Sequence, residues 1–112
     1  MPDSPSQLPL THVVFHILLA LSGQSRHGYG IIKSVADRTG GRLELETGTL
    51  YAAIRRLRSD GYIQECPPPE PADARRRYYD LTPLGREVLQ AESLRLAELV
   101  GMAREARVLP GT

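Results

Sequence analysis

The sequence predicts a mainly α fold with a small β component, an α+β chain of three helices, a two-stranded hairpin and a long C-terminal helix. Apolar residues recur at helical spacing in four separate stretches, and between the third and the fourth the pattern switches to the two-residue alternation of strands. Size sets the limit: 112 residues, 41% of them hydrophobic, are enough for one modest core.

Residues 1–9, MPDSPSQLP, hold three prolines and little to bury, and read as a loose arm ahead of a domain spanning 10–82. THVVFHILLALS, residues 11–22, is apolar on nearly every side, which describes a helix packed on several faces, with Thr11 as its N-cap and Gly23 as its stop. A second helix over 28–39 places Ile32, Val35 and Ala36 at helical spacing and stops at Gly40-Gly41. RLELE, residues 42–46, alternates as a very short strand.

The third helix lies in ETGTLYAAIRRLRSDGYI, residues 46–63, and breaks at Asp60-Gly61. On a wheel at about 100° per residue, Leu50, Ala53, Ile54 and Leu57 form its core stripe. The opposite side carries Gly48, Ala52, Arg55 and Ser59, flanked by Thr49 and Arg56 on one side and by Tyr51 and Arg58 on the other. A merely solvated face would be filled with Glu and Lys; here the N-terminal half is stripped to glycine, alanine, threonine and one tyrosine, as a surface meant for close approach would be.

YIQE at 62–65 and RYYDLT at 77–82 alternate as strands, with Ile63, Tyr79 and Leu81 facing inward. Between them CPPPEPADARR contains four prolines, which stiffen and extend it, and its end runs into Arg75, Arg76 and Arg77. Thr82-Pro83, an N-cap followed by a first-turn proline, opens the final helix over 83–107, leaving 108–112 as a tail. That helix has more apolar residues than one terminal helix leaves exposed, so a second copy of the chain is its expected partner. Leu89, Leu96, Leu99 and Val100, with Phe15 of the first helix, are the candidate dimer contacts.

Several function classes recede. Cys66, the one cysteine, has no partner for an internal disulfide, which fits a reducing cytoplasm. The apolar run at 13–21 is too short to span a bilayer, and no basic segment precedes it as in a secretion signal, so no membrane partner is expected. His12 and His16 have a metal-compatible spacing but no third ligand, and neither a metal nor another cofactor is expected. The chain shows no phosphate-cradling glycine loop and no supported Cys/His pair, so it does not read as an enzyme. With a net charge of +1, any argument for a polyanionic partner rests on where the charge sits.

Three helices followed by two strands around a basic loop is the element order of a winged helix-turn-helix. HGYGI at 27–31, GTLYAAIRRLRSDGYI at 48–63 and RRRYYDLTPLGREVL at 75–89 together resemble the PadR family of bacterial transcriptional regulators, most of all its short branch with a single C-terminal dimerisation helix. The resemblance spans roughly residues 10–107. It implies a homodimer that binds double-stranded DNA near a promoter, usually as a repressor on a palindromic operator. The third helix then enters the major groove, the wing reaches the backbone or the minor groove, and the first and last helices form the dimer.

The residues agree with that expectation. Gly48 and Ala52 would let the helix backbone approach the bases, with Thr49 and Tyr51 as donors beside them, while Arg55, Arg56 and Arg58 suit phosphates. Thr47 stands where many relatives have proline, and either donates to a phosphate or caps the helix. Gly28 at the start of the second helix, with Lys33 as helper, and Arg75, Arg76 and Arg77 of the wing complete the candidate DNA contacts. For each a structural role competes: Tyr51 as an aromatic between helix and wing, Thr47 and Thr49 as caps, Gly28 and Gly30 as packing glycines. Tyr29 reads as structural, and His27 as a cap or packing residue.

Two alternative functions stay open. One is a sensor whose dimer cavity is the main site and takes a small hydrophobic inducer, as in some members of the family; this chain has no tryptophan to stack on such a ligand, leaving Phe15 and aliphatic residues to line it. The other is a winged-helix protein-interaction module that no longer binds DNA.

Overall fold

The structure, a computed structural model, describes residues 8–110, so most of the expected arm and the end of the expected tail lie outside the described residues. Helix α1 spans His12–Ala20 and is capped as its sequence suggests, Thr11 Oγ1 accepting from the Val14 N–H at 3.1 Å. It ends before Gly23 because Leu21 and Ser22 turn their N–H groups onto the Leu18 and Leu19 carbonyls, tightening the last turn. Helix α2, Gly28–Arg38, is followed by Thr39, whose hydroxyl donates to the Val35 carbonyl at 2.9 Å. Helix α3 is Thr47–Ser59, and the long α4 is Pro83–Glu105.

The sheet has three antiparallel strands, β1 Arg26–His27, β2 Ile63–Cys66 and β3 Tyr78–Leu81, in the order β1-β3-β2. Ile63 pairs with Leu81 and Cys66 with Tyr78 across the hairpin, while Arg26 and His27 pair with Tyr79 and Tyr78 on the other edge. This corrects the strand expected at 42–46, where the chain forms no ladder. Both edges of β3 are already taken, by β1 and β2. Leu45 is buried and Leu43 half-buried, so the alternation there records anchoring of a loop to the core rather than strand pairing.

The core lies where the helices meet the sheet: Ile17, Leu18 and Leu21 of α1, Ile31 and Val35 of α2, Leu50, Ile54 and Leu57 of α3, and Val88 and Leu89 of α4. The expected α3 stripe therefore packs inward, with Ala53 half-buried at its margin. Ile63 and Tyr79 are buried and Leu81 half-buried; Tyr78 is buried as well, because the His27 ring meets it edge-on at 5.2 Å. Leu89, a candidate dimer contact, belongs to the core of its own chain and is 5% exposed. Besides Leu84 in its first turn, the apolar residues that α4 leaves exposed lie further along, at Leu94, Leu99, Val100 and Met102.

One junction holds α3, the β2–β3 hairpin and α4 together. Gly61, at φ 80°, ends α3 in a left-handed turn that a side chain would strain, and the Tyr62 N–H returns to the Leu57 carbonyl at 2.9 Å. The Thr82 hydroxyl accepts from the Gly85 N–H at 3.0 Å as the α4 cap and itself donates to the Gly61 carbonyl. α4 lies so near β2 that a Cβ at position 85 would collide with the Tyr62 carbonyl oxygen. Further along α4 the buried Glu92 accepts from the Leu10 N–H at 3.0 Å and from Arg95 at 2.6 and 2.9 Å. The charge-assisted bonds from Arg95 hold its carboxyl below the usual value, against the opposing effect of burial.

Candidate nucleic-acid interface

Three stretches far apart in the chain converge on one basic hollow of about 320 Å³. The first turn of α2 contributes His27, Gly28 and Tyr29, α3 contributes Tyr51, and the wing contributes Arg75, Arg76, Arg77 and Tyr79. The antiparallel pairing of β1 with β3 causes this convergence, since it sets His27 opposite Tyr78, directly after the arginines.

Gly28 and Tyr51 explain each other. The Tyr51 ring lies across the Gly28 α-carbon, so that a Cβ there would run into its hydroxyl and push the ring off α2. Tyr51 is 39% exposed, resting on α2 on one side and open to the hollow on the other, so packing and outward presentation coexist in one residue. Tyr29, expected to be structural, is 67% exposed and stacks its ring on His27 at 6.3 Å with an interplanar angle of 17°. Tyr29 thus packs on the cap residue of α2 while most of its ring stays open to solvent.

His27 does cap α2: its Nδ1 accepts from the Gly30 N–H at 3.0 Å. Its Nε2 lies 2.7 Å from the Arg76 guanidinium. Burial, and then the Arg76 charge, lower its pKa below the ordinary 6.5, with Asp73 acting the other way. Asp73 itself accepts from the Tyr78 hydroxyl at 2.9 Å, tying the short 3-10 turn Pro71–Asp73 of the wing loop back to β3.

Along α3 the exposed side is the one expected. Thr47, Gly48, Thr49, Tyr51, Ala52, Arg55, Arg56 and Arg58 are all exposed. Glu46 occupies the N-cap position without a side-chain cap hydrogen bond, so the first turn of α3 is not capped by Thr47 or Thr49. Arg58 reaches Glu65 of β2 at 3.9 Å, whereas among the described residues Arg55, Arg56, Arg75 and Arg77 form no ion pair. Ala52 and Arg56 face a separate groove of about 570 Å³ beside Leu10 and the start of α1. Lys33 is not part of the basic hollow; it pairs with Asp37 at 3.5 Å and lines a different recess with Arg26 and Arg38.

The His12 and His16 rings meet edge-on at 4.7 Å, and among the described residues no group of three His, Cys, Asp or Glu is placed to hold a metal ion. Burial, followed by the neighbouring Asp80 carboxylate, pushes the Cys66 thiol up from its ordinary value, away from thiolate chemistry. Among the described residues no helix is long and apolar enough to cross a membrane.

The model of the transcriptional regulator PadR-like family matches residues 17–91. An uncharacterized 37.1 kDa protein of transposon TN4556 from Streptomyces fradiae is 35% identical over 92 residues, 82% of this chain and 25% of that protein. Protein X of Lysinibacillus sphaericus, also uncharacterized, is 30% identical over 78 residues, 70% of this chain and 72% of that one. The chain thus spans only a quarter of the first relative. Among solved structures, a transcriptional regulator from Clostridium thermocellum superposes with a TM-score of 0.69 at 27% identity, covering 84% of this chain and 88% of that one. A PadR-family regulator from Clostridium difficile gives 0.72 at 25%, covering 85% and 97%. Bacillus subtilis PadR, solved with operator DNA, shares the fold at 0.63 and 20% identity, covering 74% of this chain and 46% of that one.

Proposed function

This chain belongs to the PadR-like family of transcriptional regulators, and from that premise we propose that it is a homodimeric repressor that binds a palindromic operator through α3 and the wing. The carrying observation is the convergence of Tyr51, the α2 start and three wing arginines on one exposed basic hollow beside the trimmed face of α3. Gly48, Thr49 and Ala52 present little bulk where the helix would enter the major groove, and Arg55 and Arg56 stand free to meet phosphates on either side. That an operator complex exists for Bacillus subtilis PadR, which has the same fold, supports the reading.

The dimer would be built on α4, whose Leu94, Leu99, Val100 and Met102 are between 41% and 63% exposed. Leu96 and Phe15, the other expected contacts, are half-buried. No catalytic role is assigned, and the function is binding. The test is enrichment of a randomised duplex pool on the purified protein, followed by fluorescence anisotropy on the selected duplex and a scrambled one across a range of salt. A regulator binds the selected duplex more tightly, with affinity falling steeply as salt rises; equal, weak binding to both duplexes would end this reading.

A further inference from the structure

The contact between His27 and Arg76 is incompatible with both groups being satisfied. A neutral imidazole has one N–H and one lone pair. Nδ1 accepts from the Gly30 N–H, so its lone pair is engaged and the proton resides on Nε2. Nε2 therefore donates, and what faces it at 2.7 Å is a guanidinium nitrogen of Arg76, which has only donors. Two N–H groups point at each other with no acceptor between them.

The His27 ring is well anchored. It is fixed by its cap, by Tyr78 edge-on and by Tyr29 stacked above, so the side chain able to give way is Arg76, which is exposed on the wing. Arg75 and Arg77 flank it on the same hollow. An anionic oxygen set against both N–H groups would satisfy each of them.

Building on the regulator reading, we infer that His27 Nε2–H and the Arg76 guanidinium form a two-donor clamp for one backbone phosphate of the bound DNA. Arg76 swings back to admit the phosphate oxygen, which then accepts from both nitrogens at about 2.7–2.9 Å, the usual length for charge-assisted hydrogen bonds. His27 is thus a binding residue as well as a cap: its proximal nitrogen starts α2 and its distal nitrogen faces the DNA. The clamp joins the first turn of α2 to the wing across a single phosphate, fixing the register of the wing without reading a base.

The experiment uses the enriched duplex and a series of copies in which one phosphate at a time in each half-site is replaced by a neutral methylphosphonate. Binding is read for the wild-type chain, for H27N and for R76A. Asparagine keeps a cap acceptor for the Gly30 N–H but is too short to bring a donor to the Nε2 position, and a thermal melt confirms that each variant folds. For the wild type, one position per half-site loses about tenfold in affinity on neutralisation. In H27N and in R76A the penalty at that position shrinks, and the double variant is scarcely worse than either single one. If every methylphosphonate penalty persists undiminished in both variants, or if H27N binds the unmodified duplex as tightly as the wild type does, the clamp is wrong while the regulator reading stands. If the pool yields no preferred duplex, the regulator reading falls and takes the clamp with it.

Discussion

At Gly85 a hydrogen replaces a side chain, and α4 rests against the Tyr62 carbonyl as a result. The obstacle is backbone rather than a movable side-chain end, so Gly85→Ala is expected to destabilise the fold by about 1–3 kcal/mol, lowering Tm in a circular-dichroism melt by at least about 4 °C. An unshifted melt would contradict the close approach. Glu92 gives a second residue-scale expectation. Its carboxyl is held below the ordinary 4.5, mainly by Arg95, so the unfolded chain binds its proton first as pH falls. The stabilisation is fully present above the ordinary value and is lost as pH drops through the depressed one. Glu92→Gln should therefore flatten the acid limb of a urea-midpoint against pH curve, and a limb of unchanged steepness would assign the effect elsewhere. Neither residue announces itself in the sequence. A glycine after Thr-Pro-Leu and a glutamate in a charged helix have ordinary readings, and only the distances to Tyr62, Leu10 and Arg95 give them their roles.

Among the elements, α3 is where local pattern and tertiary structure agree. Its apolar stripe is buried and its trimmed side exposed, because one helical period decides both. Ala52→Glu places a carboxylate on that exposed side with no core contact to disturb. The variant is expected to keep its melting temperature and its assembly state while losing operator binding in anisotropy; retained binding would mean that another face of α3 meets the DNA. Strands were legible where alternation coincided with pairing, as in β2 and β3, and illegible elsewhere. RLELE alternates because Leu43 and Leu45 anchor a loop, while β1 is two residues long, too short for any period, and exists because the edge of β3 opposite β2 lies beside the start of α2. That hidden pairing draws His27 to the arginines, which is why Arg75, Arg76 and Arg77 could be singled out from the sequence and their histidine partner could not.

For the molecule as a whole, the unpartnered half of α4 sets the expectation. Leu99 is 47% exposed with no core role, so Leu99→Arg should leave the fold intact and halve the sedimentation mass at micromolar concentration. A wild-type chain that already sediments as a monomer would remove the dimer from the proposal. Leu89, by contrast, is a core residue, and its replacement by arginine would unfold the chain rather than divide an assembly. Spacing on a helix separates apolar from polar positions, but it does not say whether an apolar position faces its own chain or another, and the boundary along α4 between those two uses became visible only in three dimensions.

The junction of Gly61, Tyr62, Thr82 and Gly85 makes α4 a lever arm with α3 and the wing rigidly attached at its base. In the proposed dimer the distance between two recognition helices is then a matter of angle alone. A few degrees of rotation where two α4 helices cross sweep both α3 helices toward or away from one helical repeat of DNA, roughly 34 Å. The choice of operator half-site spacing would thus be written in the α4 crossing, far from any base, and could be retuned without altering a single residue that touches DNA.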